Sequence, residues 1–192
     1  MKTLILVDFD KTLYKKDSLL EFTKFYQGNF KFYFGFLVLL PVLILMKIGL
    51  IKNEKAKEFF LTYFFKDEDS TFFQKMGTNF ADTKIQENID LNLYKKIKEL
   101  KSKNATLFIV TASCNEWIKS WSTENDFKII STEIEVIDNK ITGKLQSKNC
   151  NGIEKVNRIK KEINVTDFDE ILVFGNGKGD LEMLKLTKQM IS

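Results

Sequence analysis

Three short runs of consecutive apolar residues punctuate the chain: Thr3–Phe9 (TLILVDF), Ala105–Thr111 (ATLFIVT) and Glu170–Gly175 (EILVFG). Runs of this length without polar alternation read as strands buried on both faces, the material of parallel sheets. Helical periodicity lies between them, over Leu91–Ser102 and Asn115–Asn125. Strand alternating with helix predicts an α/β fold whose strands are joined by crossovers. Phe127–Ser131 reads as a further strand. Glu133–Leu145 alternates and is broken by Asp138-Asn139, which predicts a hairpin at the sheet's edge. Ile153–Ile163 and Leu181–Leu186 read as helices, and Gln189–Ser192 as a last short strand.

The stretch from Asp17 to Asn88 follows a different pattern. It is rich in Phe, Tyr, Leu and Lys, has helical periodicity and shows no convincing strand. Residues 1–16 and 89–192 therefore read as an α/β core, and residues 17–88 as a helical cap inserted after the first strand. Within the cap, Phe30–Ile51 is almost wholly apolar. Lys31 and Lys47 leave fifteen uncharged residues between them, and Pro41 interrupts the run. A bilayer span needs about 20. Two readings stay open. The segment is a helical hairpin buried between cap and core, or residues 32–46 make a peripheral membrane contact flanked by lysines.

Composition narrows the chemistry. The 192 residues are 44% hydrophobic and 29% charged, values of an ordinary globular chain. The net charge of +4 is mild and the lysines are scattered, so nucleic acid is not expected as a partner. Histidine is absent, which excludes a Ser-His-Asp triad, phosphohistidine chemistry and a His-ligated metal. Proton transfer falls to carboxylates, lysines or tyrosines. Cys114 and Cys150 form no CxxC and read as reduced thiols of a cytoplasmic protein. The N-terminus has no signal-peptide pattern, because Asp8 and Asp10 interrupt its apolar run.

Four short segments carry candidate chemistry, each beside an ordinary structural reading. Asp8-Phe9-Asp10-Lys11-Thr12-Leu13 follows the first strand, at the sheet end where α/β folds bind ligands. Two carboxylates there can share a hard cation, one attacking phosphorus while the other moves protons; alone, the pair also suits a turn and helix cap. Thr111, in Val110-Thr111-Ala112-Ser113, offers a hydroxyl and backbone N–H groups to a phosphate, or an ordinary N-cap. Lys155, in Asn151-Gly152-Ile153-Glu154-Lys155-Val156, can neutralise a phosphoryl group or belong to a solvated helix face. Gly175-Asn176-Gly177-Lys178-Gly179-Asp180 lets backbone approach a metal or phosphate closely, with Asn176 and Asp180 as oxygen ligands suited to Mg²⁺.

In order, DFDKTL, VTAS, GIEK and GNGKGDLEML resemble the haloacid dehalogenase superfamily, and within it the phosphoserine-phosphatase-like branch (subfamily IB). The apolar cap loosely resembles that of phosphatidylglycerophosphatases of type C. The resemblance implies a Rossmann-like parallel core with a helical cap after the first strand, and a Mg²⁺-dependent phosphomonoesterase. It implies Asp8 as the nucleophile forming an aspartyl-phosphate, and Asp10 as general acid and base whose backbone carbonyl also meets Mg²⁺. Thr111, Ala112 and Lys155 would hold the phosphoryl oxygens, and Asp8, Asp10, Asn176 and Asp180 the metal. The commoner form of the last motif begins Gly-Asp; Asn176 keeps an oxygen ligand but removes a charge.

Three function classes follow: a phosphatase acting on a soluble metabolite or a lipid phosphate, a phosphotransferase with an alcohol acceptor, and a non-enzymatic phospho-switch. The early position of Asp8 and the insertion at 17–88 speak against the switch. The expected location is the cytoplasm, or the inner membrane face if residues 32–46 meet lipid.

Overall fold

The computed structural model describes residues 2–101 and 105–188. The expected strand at Gln189–Ser192 and the expected end of a helix at Ser102 lie outside them. Four parallel strands, β1 (Thr3–Val7), β2 (Ala105–Cys114), β3 (Lys128–Thr132) and β6 (Glu170–Phe174), form one sheet in the order β3-β2-β1-β6. Strand β1 is central, pairing Thr3 with Ala105 on one side and with Glu170 on the other. All five of its residues are buried, as a central parallel strand requires. Its alternating side chains separate two cores. Ile5 and Val7 face the aromatic core beneath the long helices, while Leu4 and Leu6 join Phe108, Val110, Ile159 and Met183 on the other face.

Helices α1 (Ser18–Lys47), α2 (Asn53–Phe65) and α3 (Ser70–Phe80) follow β1, and α4 (Leu91–Leu100) leads into β2. Asp17, Asp69 and Asp90 cap α1, α3 and α4 by accepting hydrogen bonds from first-turn N–H groups. Phe22 of α1 stacks on Trp117 at 4.9 Å and meets Phe65, Phe73 and Phe80. This buried aromatic cluster fixes the first half of α1 to the sheet side. Each such ring pair contributes about 0.5–1.5 kcal/mol beyond its buried area.

Four sequence expectations need correction. Pro41 does not interrupt α1, which runs through it; the break is at Gly28, whose φ of 76° and ψ of 164° kink the helix. Strand β2 does not end at Thr111 but continues to Cys114, with a register irregularity against β3 between Val110 and Cys114. The helix expected over Asn115–Asn125 is a 3₁₀ turn (Asn115–Trp117) followed by the short α5 (Lys119–Glu124). The hairpin of β4 (Ile134–Ile137) and β5 (Lys140–Leu145) is a separate two-stranded sheet rather than an edge of the main one. Its backbone bonds to the α2–α3 connection instead, through Asp67 N–H to Ile141 O (2.8 Å), Ile141 N–H to Glu68 O (2.9 Å) and Ser70 N–H to Asn139 O (2.9 Å). A hairpin's outer edge needs partners, and the nearest unpaired backbone here belongs to the helical segment. Helices α6 (Ile153–Glu162) and α7 (Leu181–Leu184) complete the core.

Candidate active site

Parallel pairing brings the four motifs to one end of the sheet, the carboxyl end. Asp8 follows β1 directly, its N–H donating to Phe174 O at 2.8 Å and carrying the β1–β6 register one residue further. Its side chain is buried. One carboxylate oxygen, Oδ1, accepts from Lys155 Nζ at 2.6 Å, and Oδ2 accepts from Thr12 Oγ1 at 2.9 Å.

Lys155 is 1% exposed, which overturns the solvated-face reading. Its ammonium donates to Asp8 Oδ1, to Val110 O (2.7 Å) and to Asp180 Oδ1 (2.7 Å). An ammonium has three protons, so all three are used. One side chain from α6 thus ties together the end of β1, Val110 within β2 and the loop after β6. Asp180 is buried too, and its Oδ2 accepts from Gly177 N–H at 2.8 Å. The loop closes so tightly that a Cβ on Gly175 would lie 2.7 Å from the Asp180 Cβ.

The electrostatics follow from two carboxylates sharing one ammonium out of water. Burial pushes the Asp8 carboxyl above its ordinary value; Lys155 pulls it back, and the charge of Asp180 adds to the push. Burial lowers the Lys155 ammonium, but Asp8 and Asp180 outweigh that and hold it above its usual value. The trio keeps a surplus of negative charge that a cation would relieve.

Asp10 stands beside this trio and outside it. Its carboxylate accepts from Ser18 N–H at 2.6 Å and from Ser113 Oγ by a short hydrogen bond. Ser18 Oγ donates to Ser113 Oγ (2.8 Å) and accepts from Trp117 Nε1 (3.0 Å). Indole nitrogen only donates, so the chain Trp117–Ser18–Ser113–Asp10 has one direction and ends on the carboxylate. Burial, first, and the charge of Asp17 raise Asp10 to about 6, against the hydrogen bonds from Ser113 and Ser18. A carboxyl there gives and takes a proton near neutrality.

Thr111 is fully buried, and its Oγ1 accepts from Ser113 N–H at 3.0 Å. It caps no helix; the turn it makes lies within β2, at the irregularity against β3. The carbonyl of Ala112 accepts a short bond from Lys57 Nζ of α2, which also donates to Asn149 Oδ1 at 3.3 Å. Asn176 is exposed, and its amide nitrogen donates to Lys11 O at 2.5 Å. Asp8, Lys155 and Asp180 therefore meet directly, with Thr111 next to the Val110 anchor. Asp10 and Asn176 border the cluster with separate partners.

Sequence reasoning missed Thr12, Ser18, Ser113, Trp117 and Lys57. Thr12 and Ser113 sit inside the quoted motifs and were legible as hydroxyls near carboxylates. Lys57 is one of two lysines on α2 and carries no local signal.

The donors fit a hard divalent cation. Among the described residues no three His, Cys, Asp or Glu side chains cluster as a ready cage. Mg²⁺ is bound through one or two carboxylates, the rest of its shell being waters and substrate phosphate oxygens. The carboxylates of Asp8 and Asp180, the Asp10 carbonyl and the Asn176 amide oxygen are the groups here that could supply such oxygens. The Asn176 hydrogen bond uses the nitrogen of that amide and not its oxygen.

Residues 5–185 match the family of haloacid dehalogenase-like hydrolases. Protein CicA of Caulobacter vibrioides is 28% identical over 188 residues, 97% of this chain and 83% of that protein. The crystal structure of a protein of unknown function from Bordetella pertussis Tohama I superposes with a TM-score of 0.82 at 18% identity, covering 97% of this chain and 87% of that one. A phospho-aspartyl intermediate analogue of phosphoserine phosphatase superposes with a TM-score of 0.62 at 19% identity, covering 97% and 83%.

Proposed function

The chain belongs to the haloacid dehalogenase-like hydrolase family, and within it we propose a Mg²⁺-dependent phosphomonoesterase that works through a phosphorylated Asp8. An Asp8 carboxylate oxygen attacks phosphorus and the ester oxygen leaves, taking a proton from Asp10. Water then attacks the acyl phosphate, giving its proton to Asp10 and releasing inorganic phosphate and the free Asp8 carboxylate. Lys155 offsets the charge that builds on the phosphoryl oxygens, and Thr111 with the Ala112 backbone orients them. Bound to the oxygen set around Asp8 and Asp180, Mg²⁺ supplies further charge neutralisation to the transferring group.

The observation that carries this reading is the Lys155 ammonium clamped between Asp8 and Asp180 at 2.6 and 2.7 Å, one strand end away from an Asp10 poised near neutrality. A charge trio alone could be structural. Its position at the carboxyl end of the sheet, with a second carboxylate two residues along the chain, supports catalysis. The structural neighbour captured as a phospho-aspartyl analogue adds support. Asp8→Asn is expected to abolish hydrolysis of an aryl phosphate in the presence of Mg²⁺, and chelation of Mg²⁺ to do the same to the unaltered protein. Turnover by Asp8→Asn at a rate near that of the unaltered protein would sink the reading.

A further inference from the structure

The second half of α1 has two faces of unlike fate. Phe32, Gly35 and Leu39 are buried against α2. The contact is close enough that a Cβ on Gly35 would lie 2.4 Å from the Tyr63 ring. The opposite face is bare. Phe30 (85% exposed), Phe34, Leu37 (65%), Pro41, Ile44 and Ile48 (64%) follow one another at helical spacing and are all exposed. Burial all round is thereby excluded, and the reading of this segment as buried cap interior falls. Monomeric soluble proteins seldom leave a contiguous apolar stripe of this kind uncovered.

We propose that this stripe docks on an anionic lipid bilayer, lying in the plane of the headgroups, and that the substrate is a phosphate ester carried by a lipid of that bilayer. The inference rests on the phosphatase reading for its second half only. Charge argues for lipid. From Lys24 to Asn53 the chain carries Lys24, Lys31, Lys47 and Lys52 and no acidic residue. Lysines at both ends of an apolar helix face are the pattern of interfacial helices on anionic membranes. Pairing two copies through the same stripe would set lysine against lysine in either direction, which disfavours a second copy as the cover.

Geometry argues for lying on the surface rather than spanning it. By length and composition α1 is the one helix among the described residues that could cross a membrane. Its uncharged stretch between Lys31 and Lys47 is only about 22 Å long at 1.5 Å per residue, against ~30 Å of hydrocarbon. Its inner face is held by α2, which bears Glu54, Lys55, Lys57 and Glu58. A span would draw those charges into the hydrocarbon. Lying flat buries the stripe and leaves them in water.

Position links the stripe to the active site. Helix α2 returns along α1, so that Asn53 reaches Met46, and the turn at Ile48–Ile51, bonded back to Leu45 and Met46, leads into the start of α2. There Asn53 and Glu54 bond Asn149, and Lys57 reaches the Ala112 carbonyl beside Thr111. Leu50, 73% exposed, projects from that turn. The turn end of the stripe thus adjoins the α2 residues that contact the site, and it is there that a headgroup phosphate would enter from the lipid surface.

Flotation with vesicles of neutral phosphatidylcholine, alone or mixed with anionic phosphatidylglycerol, tests the proposal on the full chain. The protein is expected to float with the anionic vesicles at low salt and several-fold less at high salt. L37E/I44E, two changes on the bare face, is expected to stay in solution. It should keep kcat/KM on a short water-soluble phosphate ester and lose at least tenfold on a vesicle-borne lipid phosphate. Asp8→Asn should float like the unaltered protein, which separates docking from chemistry. The proposal is overturned if the protein stays in solution with both vesicle types. It is overturned equally if equilibrium sedimentation shows a dimer that L37E/I44E dissociates, or if the soluble ester is turned over as well as the lipid.

Discussion

Lysine and apolar residues are used in opposite ways in two regions of this molecule, the carboxyl end of the sheet and the outer half of α1. At the sheet's carboxyl end, Lys155 is wholly buried and spends every ammonium proton on Asp8, Asp180 and the Val110 carbonyl. Along the outer half of α1, lysines stand at the ends of a helix whose apolar outer face is uncovered. The first region is closed upon itself, and removing one member strands the others. The second is open, and the folded chain gains nothing from its outer side chains. Polar satisfaction marks where the fold invests its stability; the bare stripe marks a surface made for contact with something else.

That contrast can be broken by mutation. The largest effect is expected for Lys155→Ala, which leaves two buried carboxylates facing each other. Breaking a buried ion pair from one side costs about 3–5 kcal/mol, so the urea midpoint should fall sharply at neutral pH, together with activity. An unchanged midpoint would mean that the trio is not a structural brace. Asp10→Asn comes next. Loss of general acid–base help costs ~10²–10⁴ in rate, with the deficit greatest on esters with poor leaving groups. Equal rates on a poor leaving group would remove Asp10 from the proton transfer.

Glu116 sharpens the comparison from the closed side. Burial, first, and the charge of Glu133 raise it to about 7 from 4.5. Its Oε2 is buried with no hydrogen-bond partner, among the described residues. A carboxyl whose folded pKa is raised stabilises the fold below the unfolded value and loses that contribution as pH rises through the folded value. Unfolding free energy should therefore fall between about pH 4.5 and pH 7, and Glu116→Gln should remove about 1–3 kcal/mol of that fall. Parallel pH dependences for the two proteins would show that Glu116 ionises freely. The smallest effect belongs to the open side. Leu37→Ser on the bare face should change stability by no more than about 0.5 kcal/mol, and a loss of 2 kcal/mol or more there would mean that the stripe is covered within the molecule.

The closed region was the more legible one in the sequence. TLILV could only be a buried strand, and a carboxylate placed directly after it had to emerge at the sheet's ligand-binding end. Asp8, Lys155 and Asp180 converge because each follows or faces a strand end, which a strand-by-strand reading captures. The companions of Asp10 were less visible. Ser18 begins α1 and Trp117 ends the 3₁₀ turn, 99 residues apart, and only the packing of α1 on β2 brings them together. Lys57 depends on a different tertiary contact, that of α2 with Ala112 of β2. The course of α1 was misread for local reasons. Proline was given the break, yet the chain bends at Gly28, where a positive φ is free of steric cost. The fate of Phe30–Ile51 turned on how many neighbours the helix would find. Composition cannot count them, and α2 proved able to cover one side only.

The central claim is that Asp8 carries the phosphoryl group between substrate and water. Rapid-quench mixing of the protein, Mg²⁺ and a ³²P-labelled phosphate monoester tests it most directly, with acid quenching and peptide mapping. The account predicts label on the peptide containing Asp8 within the first turnover, before free phosphate accumulates, and none in Asp8→Asn. First-turnover release of phosphate with no labelled protein, or label on a peptide that lacks Asp8, would contradict it.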